Sequence, residues 1–119
     1  MIVCMSEKNT EIERLGEIQN VMKYLSKEQG EIMGAYDSFI KAVLKNGKLS
    51  LKIKELISIA LSISSQCEWC ITYHSKMALD AGATEEEILE AGMVSVLMDG
   101  SPALMHLIPL KKAIDEFKK

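Results

Sequence analysis

The chain reads as an all-α, single-domain helical bundle of about six helices across residues 1–119. Three observations predict this. Apolar residues recur at spacings of three and four, and few stretches show the alternation that a half-buried strand needs. The apolar fraction is 48% with only 5% aromatic, which describes a core of aliphatic side chains and methionine. Helix-start and helix-stop residues punctuate the periodic segments. At 119 residues the chain has room for one core and little to spare.

The first helix starts near Ser6 or Thr10, the latter with Glu13 placed to complete a capping box, and carries Ile12, Leu15, Ile18, Met22 and Leu25. A second pattern through Ile32, Tyr36, Phe39, Ile40 and Leu44 stops at Asn46-Gly47. Ser50 caps a third helix that is apolar on most sides after Glu55, so it is expected to be central and buried. Polar Ser64-Ser65-Gln66 interrupts it. The next helix carries Cys67, Cys70 and His74 and ends at Asp80-Ala81-Gly82, where glycine can take the left-handed conformation that closes a helix. Thr84 with Glu87 opens a fifth helix that Asp99-Gly100 breaks. Ser101-Pro102 reads as a cap with proline in the first turn of the last helix, inside which Pro109 predicts a kink or interruption.

Composition excludes several classes of function. A net charge of −3 gives no reason to expect nucleic acid as a partner. No apolar run approaches the roughly 20 residues of a membrane span. Met1–Met5 lacks the basic flank and long apolar region of a signal peptide, so a cytoplasmic protein is expected. Three cysteines are too few and too unevenly placed for a secreted disulfide scaffold. In a reducing compartment a close pair means metal or redox chemistry.

That pair lies in Cys67-Glu68-Trp69-Cys70-Ile71-Thr72-Tyr73-His74, which puts two thiols and an imidazole along one helix face. Glu55 lies twelve residues before Cys67. If the two helices form a hairpin turning near Ser65, Glu55 and His74 are both roughly 14 Å from the turn at ~1.5 Å per residue, so carboxylate and imidazole can meet. The expected order along the groove is Glu55 with His74, then Cys70, then Cys67. The helix N-terminus and His74 both favour a thiolate, the attacking species. Attack on a peroxide would give a sulfenic acid, which the second thiol condenses to a disulfide and an external dithiol reduces.

Glu55, eleven residues, then Cys67-x-x-Cys70-x-x-x-His74 resembles the signature of the alkylhydroperoxidase D-like branch of the carboxymuconolactone decarboxylase family. Ala81-Gly82-Ala83-Thr84-Glu85-Glu86-Glu87-Ile88 and Gly100-Ser101-Pro102-Ala103 extend the likeness to a family-like core of about residues 50–117. The resemblance implies a helical fold assembling as a trimer or hexamer. It implies Cys70 as the attacking residue, Cys67 as its resolving partner, and Glu55 with His74 as the proton relay. It further implies no bound cofactor, a hydroperoxide substrate, and electrons from a lipoylated or thioredoxin-like dithiol protein. Decarboxylase members lack the cysteine pair, which weighs against lactone decarboxylation. Some members place histidine immediately before the second cysteine, where this chain has Trp69.

Other readings use the same residues. The pair could serve a protein disulfide reductase or a redox sensor without peroxide turnover. Cys67, Cys70, His74 and Glu55 are also four potential zinc ligands in a non-enzymatic helical assembly, although structural zinc sites usually draw on two separated ligand pairs. Haem attachment would need histidine directly after Cys70. Glu55 alone reads as a solvated first-turn residue. Trp69 and Tyr73 read as packing or interface residues, His106 as a satisfied polar residue, and Cys4 as incidental.

Overall fold

The computed structural model describes residues 10–118, and all regular elements among them are helical. In chain order these are α1 (Glu11–Glu28), α2 (Gly30–Leu44), α3 (Leu51–Ser64), α4 (Glu68–Asp80), α5 (Glu85–Asp99), α6 (Ser101–Met105) and α7 (Leu107–Phe117). Cys4 and the alternative helix start at Ser6 lie outside the described residues.

Most of the anticipated caps form. The Thr10 hydroxyl accepts from the Glu13 amide at 3.0 Å, and Ser50 accepts from Ile53 at 3.2 Å. Thr84 and Glu87 make a complete capping box at the start of α5. After α4, Ala83 N–H donates to the Ala78 carbonyl and Gly82 N–H to Leu79, with Gly82 at φ +95°. That pairing satisfies carbonyls the helix end would otherwise orphan.

Two boundaries differ from expectation. The residue preceding α6 is Gly100, and Ser101 is already helical with no side-chain cap. The last helix does divide, but at His106 rather than at Pro109. Proline clashes with the carbonyl four residues earlier, here Met105, so the chain breaks just beyond that residue. Pro109 thereby falls in the first turn of α7, where its missing N–H costs nothing. His106 Nδ1 meets the Pro102 carbonyl at 2.8 Å, a satisfied polar residue as anticipated.

The core is built around α3 and α4. Ile59 and Ile63 of α3 meet Ile71 and Ala78 of α4, Ile88 of α5, and Leu110 and Ile114 of α7, all fully buried. Each large aliphatic chain buried this way stabilises the fold by about 1.5–3 kcal/mol. Gly92 lets α5 approach α7, since a Cβ there would stand 3.0 Å from Leu107 Cδ2 and 3.2 Å from Leu110 Cδ2. Ser95 Oγ donates to the Ala60 carbonyl at 2.6 Å and ties α5 to α3.

The third helix is central but not buried on all sides. Glu55, Ile59, Ser62 and Ile63 face the core, whereas Ile57 and Leu61 are exposed in the single chain. The α2 helix has no buried residue, and Ile32, Tyr36, Phe39 and Val43 are exposed along it. Both helices are therefore more apolar than one chain's core requires. No helix among the described residues is long and apolar enough to cross a membrane.

Candidate active site

The α3–α4 hairpin turns through Ser65 and Gln66. Gln66 takes φ +58°, a left-handed conformation that puts the next residue at the start of α4. Cys67 N–H donates to the Ser62 carbonyl at 3.1 Å, and Gln66 N–H to Ile63 at 3.1 Å. This is a glycine-type helix closure made with glutamine. Cys67 is also the N-cap of α4, its Sγ accepting from the Cys70 amide at 3.2 Å. One residue thus closes one helix with its backbone and opens the next with its sulfur.

Cys67 and Cys70 are joined as a disulfide, with Cα atoms 5.2 Å apart. One turn along α4, His74 Nδ1 lies 2.7 Å from Glu55 Oε1. Glu55 is 1% exposed because its position continues the buried face of α3, four residues before Ile59. It is therefore no solvated first-turn residue. An ionised carboxylate can only accept, which assigns the hydrogen to Nδ1 and leaves Nε2 as the free acceptor of the ring.

A groove of about 960 Å³ opens between α1, α2 and α4, with Cys70, Tyr73 and His74 on its α4 wall. Met22 and Ile18 of α1 and Phe39 of α2 are among its apolar lining. Cys67 and Glu55 are not part of that lining. The structure brings the four predicted residues together around the hairpin: Cys70 and His74 at the groove, Cys67 bonded behind Cys70, and Glu55 beneath the imidazole.

Sequence reasoning missed Tyr73 and the groove wall. Tyr73 packs edge-on against His74, ring centroids 5.1 Å apart, and lines the groove. Burial, and next the charge of Glu55, push its phenol above the ordinary tyrosine range, so it is a neutral donor at physiological pH. Adjacent positions on a helix point to different faces, but a bulky ring can lean on its neighbour. Trp69 is half exposed, and its Nε1 donates to Glu17 Oε1 at 2.9 Å, so it contacts α1 as a packing residue.

Among the described residues, no group of three or more His, Cys, Asp and Glu side chains is arranged to hold a metal ion.

The sequence model of the carboxymuconolactone decarboxylase family matches residues 30–112. The chain belongs to this family. A carboxymuconolactone decarboxylase family protein from Legionella pneumophila, solved in its apo form, superimposes with a TM-score of 0.88 at 36% identity, covering 92% of this chain and 97% of that one. An uncharacterized protein from Cupriavidus necator is 33% identical over 93 residues, 78% of this chain and 82% of its own length. Alkyl hydroperoxide reductase AhpD from Mycobacteroides abscessus is 28% identical over 85 residues, 68% of this chain and 49% of its own length. The family match begins at α2, earlier than the core near residue 50 that the motif resemblance covered, and leaves α1 outside.

Proposed function

We propose that the chain is a thiol-dependent peroxidase that reduces hydroperoxides through a Cys67–Cys70 dithiol–disulfide cycle. The observation that carries this reading is the shared opening of Cys70 and His74 on one groove, with Glu55 hydrogen-bonded to the far side of the ring. Similarity to an alkyl hydroperoxide reductase supports the reaction class.

In the reduced protein His74 Nε2 takes the proton of Cys70, and Glu55 stabilises the imidazolium through Nδ1. The Cys70 thiolate attacks the terminal peroxide oxygen. An S–O bond forms, the O–O bond breaks, and the departing alkoxide takes the proton from His74 to leave as an alcohol. The Cys67 thiol then attacks the sulfenic sulfur, releasing water and forming the disulfide. An external dithiol returns two electrons and two protons and is itself oxidised. The apolar groove suits an organic hydroperoxide or the narrow arm of a lipoyl-type dithiol better than a small polar oxidant alone.

The exposed apolar residues on α2, α3 and α5 support a homo-oligomer, a trimer or hexamer, as the working form. Leu97 is 79% exposed and Met98 74% in the single chain, far beyond scattered surface hydrophobes.

Single-turnover kinetics test the peroxidase reading. Pre-reduced protein mixed with an alkyl hydroperoxide should lose two thiols far faster than an unactivated thiol reacts. Comparable rates would leave only disulfide reduction or redox sensing for the same pair.

A further inference from the structure

We infer that α1 clamps the two residues between the cysteines and thereby holds the Cys67–Cys70 couple toward the disulfide. Only Glu68 and Trp69 separate the cysteines, and α1 grips both. Arg14 Nη2 donates to Glu68 Oε1 at 3.1 Å, and its guanidinium carbon stands 5.5 Å from the Trp69 ring centroid. Glu17 accepts from the Trp69 indole. The grip is anchored from behind. Arg14 Nη1 donates to Glu11 Oε2 at 2.7 Å, and Glu11, fully buried, accepts from the Thr72 hydroxyl at 2.6 Å. The Glu116 carboxylate of α7 accepts from the Glu11 and Ile12 amides, pinning the start of α1.

An exposed ion pair contributes little, because solvent screens it and two long side chains must be ordered. Arg14 differs: its side chain is 13% exposed, it spans two carboxylates, and it lies over an indole. Such a planar fork is preorganised and resists substitution by lysine.

The consequence concerns the reduced state. Two thiols freed from their bond separate unless the backbone between them is held. Ordering Glu68 and Trp69 keeps one sulfur at high effective concentration near the other, which favours closure. A lone cation near the pair would act oppositely by stabilising thiolate, but the charge of Arg14 is already matched by Glu11 and Glu68. Arg14 and Glu17 are therefore positioning residues.

This inference rests on the proposed redox cycle, and its test uses no peroxide. The full-length protein is equilibrated in glutathione buffers, where two protein thiols and one oxidised glutathione exchange to give the protein disulfide and two reduced glutathiones. For Arg14→Ala the equilibrium constant for disulfide formation should fall about tenfold, a rise in potential of about 30 mV for a two-electron couple. Glu17→Ala, a change to an exposed side chain, should shift it the same way by a smaller factor and keeps the test open if Arg14→Ala does not fold. An unchanged equilibrium in folded Arg14→Ala and Glu17→Ala, or a shift favouring the disulfide, overturns the clamp. The expected shift without hydroperoxide consumption would remove the peroxidase reading alone.

Discussion

Glu55 Oε1 and His74 Nδ1 meet at 2.7 Å across the α3–α4 hairpin, with the carboxylate almost sealed from solvent. A carboxylate in that position orients the ring and, in the proposed cycle, would stabilise the imidazolium formed when the thiol gives up its proton. His74→Ala should slow the oxidation of reduced protein by roughly 100-fold or more, in the range of lost general base catalysis. Glu55→Gln keeps the shape and should slow it less. Stopped-flow thiol loss at neutral pH measures both, and wild-type rates in both variants would remove the relay.

The two sulfurs occupy different surroundings, since Cys70 lines the groove and Cys67 does not, and the proposed cycle gives them different tasks. Cys70→Ser should abolish hydroperoxide consumption. Cys67→Ser should consume one equivalent and accumulate a sulfenic acid, detectable by mass after trapping with a carbon nucleophile such as dimedone. Full turnover in Cys70→Ser would contradict its assignment as the attacker.

Glu11 carries a pH signature. Burial pushes its carboxyl above the ordinary value of 4.5, the Thr72 hydrogen bond and Arg14 pull it partly back, and Glu116 adds to the rise. A carboxyl whose folded value is raised binds its proton more tightly in the native state. Its contribution is fully present below 4.5 and is lost as pH rises through the elevated folded value. Relative to Glu11→Gln, the wild type should therefore lose stability as pH climbs out of the ordinary carboxyl range. Urea denaturation at a series of pH values checks this, and parallel curves for the two proteins would contradict it.

Gln66 holds a left-handed conformation that a side chain disfavours by about 1–2 kcal/mol. Gln66→Gly removes that cost and adds back roughly 0.5–1 kcal/mol of chain entropy. A net gain between zero and about 1.5 kcal/mol is expected by chemical denaturation. A loss of stability would mean that the glutamine side chain contributes contacts of its own.

The apolar surface makes a prediction about mass. Light scattering should find a trimer or hexamer at micromolar concentration, and Leu97→Lys should weaken it if α5 lies in the contact. A strictly monomeric wild type would leave Leu97 and Met98 unexplained.

Much of this architecture was legible in the sequence because local chemistry specified it. Thr10, Ser50 and Thr84 cap where side-chain oxygens can reach amides three residues on, and Gly82 closes α4 where its φ is positive. The approach of Glu55 to His74 followed from counting outward from the turn. The break at His106 was misplaced by three residues because proline acts on the carbonyl behind it. What lay beyond reach was long-range. Nothing in the spacing of Arg14, Glu17 and Glu68 marks them as partners, and their contact depends on how α1 docks. The exposed faces of Ile57 and Leu61 were equally hidden, because apolar content does not say whether one chain or several will cover it.

The double duty of Cys67 has a consequence for what holds the hairpin together. Its sulfur receives the Cys70 amide while bonded to Cys70. The amide and the sulfur are brought together by the N-cap geometry of α4, so that contact does not depend on the covalent cross-link. The start of α4 is thus fastened at one sulfur twice over, by a bond that reductants can cut and by an amide that they leave in place.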